Sequence, residues 1–535
     1  MNTLQPEVEA AFRDPEFYPH QVEGLEVEES HISKVFLTGP FVYKVKKPVD
    51  LGFLDFSTLE KRRFFCEREV FLNQRLSHGV YLEVVTVTGE PGGCSLNGPG
   101  EHLEYAVKMR QLPKERTMQE LLRRGELQPD MVRGLAKVLA DFYREAEGGD
   151  RIKSLGSLEV VASNVEENFT QTACFVPRIL DQERFNYLRQ AVNTFINRHK
   201  ELFQRRTRTG HIRDCHGDLR LDHVYFLDDI QIIDCIEFND RLRYSDVAAD
   251  LAFLAMDLDY HGCSRLGVSL IRSYAAAAQD PEVFALLDFY KCYRAYVRTK
   301  VECIRVAEGG LSVGQQQLEK KKARSYFDLA HSYAERLRRP TLWIVCGVIA
   351  SGKSTIAREM ATRLQVEVHS SDAVRKRLFG LDPEEPAPAL YGEGIYTPAA
   401  TDTTYERLGL AAREELGTGN SAVLDATFTR RPHRQKVRQL AAELGASVIF
   451  VECVCPQSLL RQRLEERRNK EQISDARLEH LPDVVGSFEP LEELPEETHL
   501  PIHTDRPLMD NLIELLAGSY VLQSQQAGAS SKTGA

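Results

Sequence analysis

The sequence predicts two units in tandem. The first is an α+β, two-lobed N-terminal domain, and the second is an α/β C-terminal domain on a doubly wound parallel sheet. Three observations carry this prediction. Strand-like runs crowd the chain up to Leu112, and helical patterns follow them. The stretch Arg336 to Pro340 (RLRRP) closes a charged helical segment and precedes the apolar run TLWIVCG. Beyond Pro340, strand and helix patterns alternate at the spacing of βα units.

The N-terminal strands are expected at Val35–Leu37, Phe41–Val45, Tyr81–Thr88 and Tyr105–Leu112, with a helical pattern from Leu59 to Leu76 among them. Helices follow at Met131–Tyr143, Phe185–Phe203, Val247–Met256 and Phe284–Val306, and a charged helix runs from Leu318 to Arg338. After Pro340 the expected strands are Trp343–Cys346, Val366–His369, Ala422–Leu424, Ser447–Val454 and His499–His503. Each leads into a helix, at Ser354–Leu364, Ala373–Leu378, Pro432–Leu444, Ser458–Arg468 and Met509–Ala517. The stretch Ser524–Ala535 is small, polar and aperiodic, which predicts disorder. The expected division is therefore 1–335, 341–518 and a disordered tail over 519–535.

Composition narrows the function classes. The 535 residues are 42% hydrophobic and 27% charged, ordinary usage for globular domains. The net charge is -11, from 68 Lys+Arg and 79 Asp+Glu. An acidic chain is a poor non-specific binder of duplex DNA, whose affinity rests on phosphate neutralisation. No apolar run approaches the ~20 residues of a membrane span, and the N-terminus lacks the pattern of a signal peptide. The 11 cysteines contain no C-x-x-C pair. Buried free thiols of a cytoplasmic protein are the expectation.

The strongest motif is GVIASGKS, Gly347 to Ser354, which matches G-x-x-x-x-G-K-[ST] between a predicted strand and a predicted helix. Glycines at 347 and 352 let a loop wrap a polyphosphate with its backbone N–H groups, and the helix N-terminus adds donors. The expected nucleotide-binding set is Gly347, Ala350, Ser351, Gly352, Lys353, Ser354 and Thr355. Lys353 would reach the terminal phosphates, and Ser354 would ligate Mg²⁺. Asp425 ends the strand AVLD and is expected beside that Mg²⁺, the other reading being a helix N-cap. Asp372, in HSSDAVRKRL, is expected at a strand's carboxyl end, facing the phosphate loop. There it could take a proton from an attacking hydroxyl, or again serve as an N-cap. Arg375, one turn on, could steady the transferring group. The helix Leu459–Arg468 carries Arg461, Arg463, Arg467 and Arg468. It reads as a solvated face or as a lid, with Arg467 the arginine expected over the phosphates.

These pieces resemble the small P-loop kinases often grouped with AAA-type ATPases, related to gluconate kinase, chloramphenicol phosphotransferase and the polynucleotide 5'-kinases. GVIASGKS, SSDAVRK, VLDATF, ECVCPQSLLRQRLEERR and SDARLEH carry the resemblance, from Thr341 to about Gly518. It implies ATP, Mg²⁺ and phosphoryl transfer. Asp372 and Arg375 match the Asp-x-x-Arg that supplies a base and a phosphate-contacting arginine in polynucleotide kinases. The motifs specify the reaction well and the acceptor poorly.

A second constellation lies upstream, in RDCHGDLRLDHVYF (Arg213–Phe226) and QIIDCIEFND (Gln231–Asp240). Asp218 and Asp234 are spaced as a catalytic-loop base and a metal-holding Asp. Lys44 and Lys46 precede them on VYKVKK, and Glu69 on a helix. One lysine, Lys44 by motif register, is expected to pair with Glu69. With HISKVFLTGPFVYKVKKPVDLGFLDFSTLEKR, YAVKMRQL and DVAADLAFLAMDLD, these pieces resemble the aminoglycoside phosphotransferase-like group, over roughly residues 30 to 335. The resemblance implies a two-lobed, protein-kinase-like fold. Three departures stand against activity there. The phosphate-covering loop is reduced to LTGP (Leu37–Pro40), His223 replaces a metal-binding Asn, and Arg220 replaces a His. Both an active site and a catalytically silent sensor domain stay open. Arg205, Arg206 and Arg208 read as a nucleic-acid patch or, more simply, as a solvated helix end.

The expectation is a phosphotransferase that uses Mg²⁺–ATP on a small-molecule hydroxyl. A polynucleotide 5'-kinase is the alternative enzyme, nucleic acid being the less favoured partner. A nucleotide-operated switch is the alternative outside catalysis.

Overall fold

Alternation along adjacent strands decides what the N-terminal sheet buries on each side. In the computed structural model, β1 (Glu26–Glu29), β2 (Ser33–Leu37), β3 (Phe41–Lys46), β4 (Tyr81–Glu90), β5 (Gly93–Leu96) and β6 (Glu101–Arg110) form one antiparallel sheet. Their order is β1-β2-β3-β6-β4-β5. Successive side chains of a strand point to opposite faces. Tyr43 and Val45 therefore pack with Phe36, Val85 and Val87 against Val8 and Phe12 of the helix Pro6–Phe12. Burying a side chain such as Phe12 contributes ~1.5–3 kcal/mol. Val42 lies on the other face with Val80, Tyr105 and Val107, against Cys66 of the helix Leu59–Asn73. Lys44 and Lys46 share the phase of Val42, so β3 delivers both to that helix.

The structure describes residues 4–52, 54–90, 93–307, 311–383, 393–468 and 478–533. The chain divides into two compact units, Met1–Val161 with Arg206–Leu270, and Ala162–Arg205 with Ile271–Ala535. This division departs from the boundary expected at 335–341. The helices Val283–Ala307 and Val313–Arg338 group with the C-terminal sheet. The physical reason is a buried polar cluster. Arg336 Nε donates to Asp288 at 2.8 Å, and the Tyr520 hydroxyl donates to Asp288 at 2.7 Å.

The first unit continues beyond its sheet with helices and two small two-stranded sheets. The helix Pro129–Glu145 buries Val132, Leu135, Ala136, Leu139, Ala140 and Tyr143, the stripe of an amphipathic helix. β7 (Ile212–Asp214) pairs with β10 (Tyr244–Asp246), and β8 (Val224–Phe226) pairs with β9 (Ile230–Ile232). The helix Val247–Tyr260 follows and is almost wholly buried.

The second unit holds five parallel strands, β11 (Thr341–Cys346), β12 (Glu367–Ser370), β13 (Ala422–Asp425), β14 (Ser447–Val454) and β15 (His499–His503). Their order is β12-β13-β11-β14-β15. All six residues of β11 are buried, as a central strand covered on both faces requires. Leu342, Ile344, Leu424 and Phe450 pack against Leu408 and Leu416 of the helix Pro398–Gly417 and Val437 and Leu440 of the helix Arg431–Glu443.

Two expectations are corrected here. Residues 519–533 are not part of a disordered tail but the second half of the helix Leu508–Thr533. Its polar residues have fixed partners: Ser519 accepts from Trp343 Nε1 at 3.2 Å, and the Gln526 amide takes both backbone groups of Val448 at 3.1 and 3.0 Å. Arg206 is neither a nucleic-acid contact nor solvated. It is fully buried and bidentate to Asp246, at 2.6 and 2.8 Å.

Candidate active sites

The phosphate loop Gly347–Gly352 leaves β11 and enters the helix Lys353–Leu364. Gly347 has φ +131° and Gly352 φ +94°, and a Cβ on Gly347 would lie 2.7 Å from the Cys453 carbonyl oxygen. Only glycine fits there. Ala350 takes φ 63°, a conformation costly for a residue with a Cβ. The loop is braced from outside. Arg463 donates to the carbonyls of Ala350 at 3.2 Å and Thr504 at 2.7 Å, and the Thr504 hydroxyl donates to the Ser351 carbonyl at 2.7 Å. Lys353 donates to the Val348 carbonyl at 2.6 Å. Ser354 and Thr355 stand exposed in the first helical turn.

Asp425 is the buried last residue of β13 and hydrogen-bonds Ser354. Burial raises its pKa, against the pull of Lys353 and Ser354. The next helix begins at Arg431 with Arg430 as its cap, so Asp425 is not an N-cap. A hydroxyl and a carboxylate side by side are the oxygen donors that a hard ion such as Mg²⁺ takes.

Asp425 pairs in register with Val345 on one side and Ser370 on the other. The phosphate loop and Asp372 therefore leave the same edge of the sheet. Asp372 lies in the first turn of the helix Ser371–Leu378, whose cap is Ser370. It is 3.3 Å from Lys376 Nζ, and Tyr396 donates its hydroxyl at 3.3 Å. The Arg375 guanidinium stacks 4.7 Å from the centre of the Tyr396 ring, and its buried Nε has no hydrogen-bond partner among the described residues. Arg467 is in the helix Gln457–Arg468, but its side chain lies outside the described residues. Among the described side chains of that helix, Arg463 is the arginine that touches the loop.

A cavity of about 540 Å³, lined in part by Arg198, Gln365, Glu367 and Ser421, opens at the other end of this sheet, where strands begin. Ligands of open α/β sheets bind at the strands' carboxyl ends, so this cavity is no part of the phosphate site.

In the first unit, the loop 215–223 joins β7 to β8 and carries Asp218, and Asp234 lies two residues past β9. Asp250, fully buried on the helix Val247–Tyr260, accepts the backbone N–H groups of His216 at 2.7 Å and Gly217 at 2.8 Å. His216 places Nε2 2.9 Å from the Ile233 carbonyl, and burial pushes its pKa down to about 4. Asp234 is held at φ 64° with its N–H on the Tyr81 hydroxyl at 3.1 Å. Strain of this kind collects at functional sites.

Both lysines of β3 pair with Glu69, which corrects the expectation of a single pair. Lys44 is 2.8 Å and Lys46 2.6 Å from separate oxygens of the fully buried Glu69. Lys44 also reaches Asp234 at 2.6 Å, and Lys46 reaches Glu237. Burial opposes charge on the lysines, but Asp234, Glu69 and Glu237 outweigh it and raise both pKa values. Asp234 is held low against burial by Lys44 and His223. Glu237 gave no signal in the sequence beyond its place in IEFND. Asp250 could have been suspected as a lone acid in the apolar helical run DVAADLAF.

The reduced loop is visible in the backbone. The Thr38 N–H donates to Phe41 and the Gly39 N–H to Gln111, so two amides that could face a phosphate are used internally. His223 lies 3.6 Å from Asp218 and 3.6 Å from Asp234. Burial works against its protonation, but Asp222, Asp218 and Asp234 outweigh it and raise its pKa. Asp218, His223 and Asp234 are the one metal-capable group among the described residues. Two carboxylates and an imidazole within 4.8 Å fit a divalent ion in kind and spacing.

Two family models match the chain, the phosphotransferase enzyme family over residues 120–290 and the AAA domain over residues 342–491. The uncharacterized proteins Rv2004c of Mycobacterium tuberculosis and Mb2027c of Mycobacterium bovis are each 31% identical over 446 residues. The match covers 83% of this chain and 86% of each relative. Among solved structures, aminoglycoside 2'-phosphotransferase-IIIa in its GDP complex covers 61% of this chain and 99% of its own, at 14% identity and a TM-score of 0.39. A gluconokinase from Sinorhizobium meliloti 1021 covers 35% and 95%, at 19% identity and a TM-score of 0.26.

Proposed function

The chain belongs to the family of these mycobacterial relatives and joins a kinase-like phosphotransferase domain to a P-loop kinase domain; from that premise we propose that it transfers the γ-phosphoryl group of ATP to the hydroxyl of a small molecule at the P-loop site. The observation that carries this reading is the shared sheet edge: the Ser354–Asp425 pair and Asp372 leave neighbouring parallel strands in register. Lys353 neutralises the terminal phosphates, and the loop amides hold them. Ser354 and Asp425 supply the oxygens that hold Mg²⁺, which adds charge neutralisation when bound. Asp372 accepts the acceptor's proton, and Arg375, whose Nε has no hydrogen-bond partner among the described residues, steadies the moving group. Arg463 and Thr504 hold the loop in shape.

The first unit is a second nucleotide–metal cleft in this reading, weaker because its covering loop is short and its amides are occupied. The Lys44–Glu69 pair and its contact to Asp234 favour it. A polynucleotide acceptor is not favoured, since Arg206 is buried and Arg205 lies 3.1 Å from Glu282. A reducing, cytoplasmic setting suits the eleven free cysteines.

The test is an ATP-consumption screen against a metabolite extract, with mass detection of phosphorylated products. Lys353→Ala should abolish tight Mg²⁺–ATP binding at this site. Asp372→Asn should leave ATP affinity near wild type and lower acceptor-dependent turnover by ~10²–10⁴-fold. Unchanged turnover in Asp372→Asn would remove the base from the mechanism. Nucleotide binding with no acceptor-dependent product would favour the switch.

A further inference from the structure

The imidazole of His223 is oriented as a ligand rather than as a general polar filler. Its Nδ1 lies 2.8 Å from the Asp218 backbone carbonyl. A carbonyl only accepts, so Nδ1 carries the hydrogen of that bond, and the neutral ring keeps its lone pair on Nε2. Metal-bound imidazoles are commonly fixed in this way, by a hydrogen bond from the other nitrogen.

Nε2 points among carboxylates. It is 3.6 Å from Asp234 Oδ2 and 3.9 Å from Asp222 Oδ1. Two ligands bound to one ion at about 2.0–2.3 Å stand about 3–4 Å apart. The other oxygen of Asp234 is held by Lys44, so Oδ2 is the one that faces the ring. Asp222 Oδ1 is buried and has no hydrogen-bond partner among the described residues, although its other oxygen accepts from Arg220 at 2.8 Å. A buried carboxylate oxygen without a partner costs free energy unless something positive meets it.

We propose that the cleft of the first unit is a mixed nitrogen–oxygen site for a first-row transition ion such as Mn²⁺, in preference to Mg²⁺, with His223 Nε2 and Asp234 Oδ2 as ligands and Asp222 closing the shell. Mg²⁺ takes oxygen ligands and gives up its water reluctantly, whereas imidazole suits the transition ions. This inference rests on the reading of the first unit as a nucleotide–metal cleft. It needs no phosphoryl transfer to be tested.

The experiment is Mn²⁺ binding by the full-length chain carrying Asp425→Asn, which removes the carboxylate proposed for the P-loop metal, followed by electron paramagnetic resonance. The bound Mn²⁺ should show coupling to one nitrogen, altered when histidine is supplied as the ¹⁵N form. His223→Asn should abolish that coupling and lower Mn²⁺ affinity by at least about tenfold, without a matching loss of Mg²⁺ affinity. Bound Mn²⁺ with oxygen-only coordination in the His223-containing chain would overturn the proposal, and that result does not depend on how the variant folds. So would an equal Mn²⁺-to-Mg²⁺ preference in both chains. Either failure would leave the P-loop phosphotransferase untouched, because no turnover is read.

Discussion

Glu69 shows what a single buried residue can be asked to do. It is fully buried and meets two ammonium groups, each on its own oxygen. The spacing of Lys44 and Lys46 put both on one strand face, so their approach to the helix was legible from alternation alone. Their sharing of one carboxylate was not, because it depends on Glu237, which arrives from a loop far along the chain and balances the charge count. Removing one member of a buried pair costs ~3–5 kcal/mol, since its partner keeps its charge without compensation. Glu69→Gln should therefore lose stability of that order in chemical denaturation of the first unit. The exposed pair Lys108–Glu83, cut by Glu83→Gln, should cost ~0–1 kcal/mol. A loss in Glu69→Gln no larger than in this control would mean that the lysines find water or other partners. His223 marks the other limit of legibility: its departure from the expected residue was plain, but its tautomer is set by a backbone carbonyl that only the fold brings near.

Elements were legible where periodicity and a motif agreed. All five parallel strands of the second unit and the helix after each phosphate-facing loop were expected from alternation. Which arginine of Gln457–Arg468 meets the phosphate loop was not, because four arginines on one helix carry no label and the loop lies elsewhere in the chain. The second half of the final helix was missed because its small polar residues look solvated until their partners on β11 and β14 are in place. The helices Val283–Ala307 and Val313–Arg338 carry a titratable contact of the same hidden kind. Glu302 and Glu319 are buried neighbours, with Arg298 on the first at 2.8 Å and Lys322 on the second at 3.2 Å, and the Oε2 of each meets no hydrogen-bond donor among the described residues. Two such carboxyl groups can bond to one another only by sharing a proton. Burial and Glu319 raise the pKa of Glu302. A raised carboxyl pKa means that the folded state binds more protons than the unfolded one. Its contribution to stability is then greatest in acid and is lost as pH rises through the raised value. Glu302→Gln, whose amide can donate to Glu319 without a proton to lose, should match wild type near pH ~4 and surpass it increasingly toward neutrality. Thermal melts of both chains across that range would show it. A constant difference would mean that the pair holds no shared proton.

At the scale of the molecule, the motifs marked the two families whose models match at 120–290 and 342–491, and each cluster of site residues lies wholly inside one unit. The division into compact units does not fall at Pro340, where composition suggests a linker but packing continues. The Asp288–Arg336–Tyr520 cluster and the bond from Arg339 Nη1 to the Gln526 carbonyl at 3.0 Å cross that point within the second unit. A fragment beginning at Thr341 should therefore expose Tyr520, melt well below the full chain and aggregate at lower temperature, as light scattering would record. Equal melting of fragment and full chain would mean that the helices preceding Pro340 contribute nothing to the sheet behind them. The same division sets an order of events during synthesis. Every segment of the first unit has been made once Leu270 is complete, so that unit can fold while the ribosome is still at work. The second unit cannot close until the helix Leu508–Thr533 emerges. At about 5–20 residues per second, that delay is on the order of tens of seconds. Early in it, the helix Gln182–Arg198 waits with Leu188, Val192, Phe195 and Ile196 uncovered until the helix Val283–Ala307 brings Phe289 to stack on Phe195 at 5.2 Å, a nascent surface for which chaperones would compete.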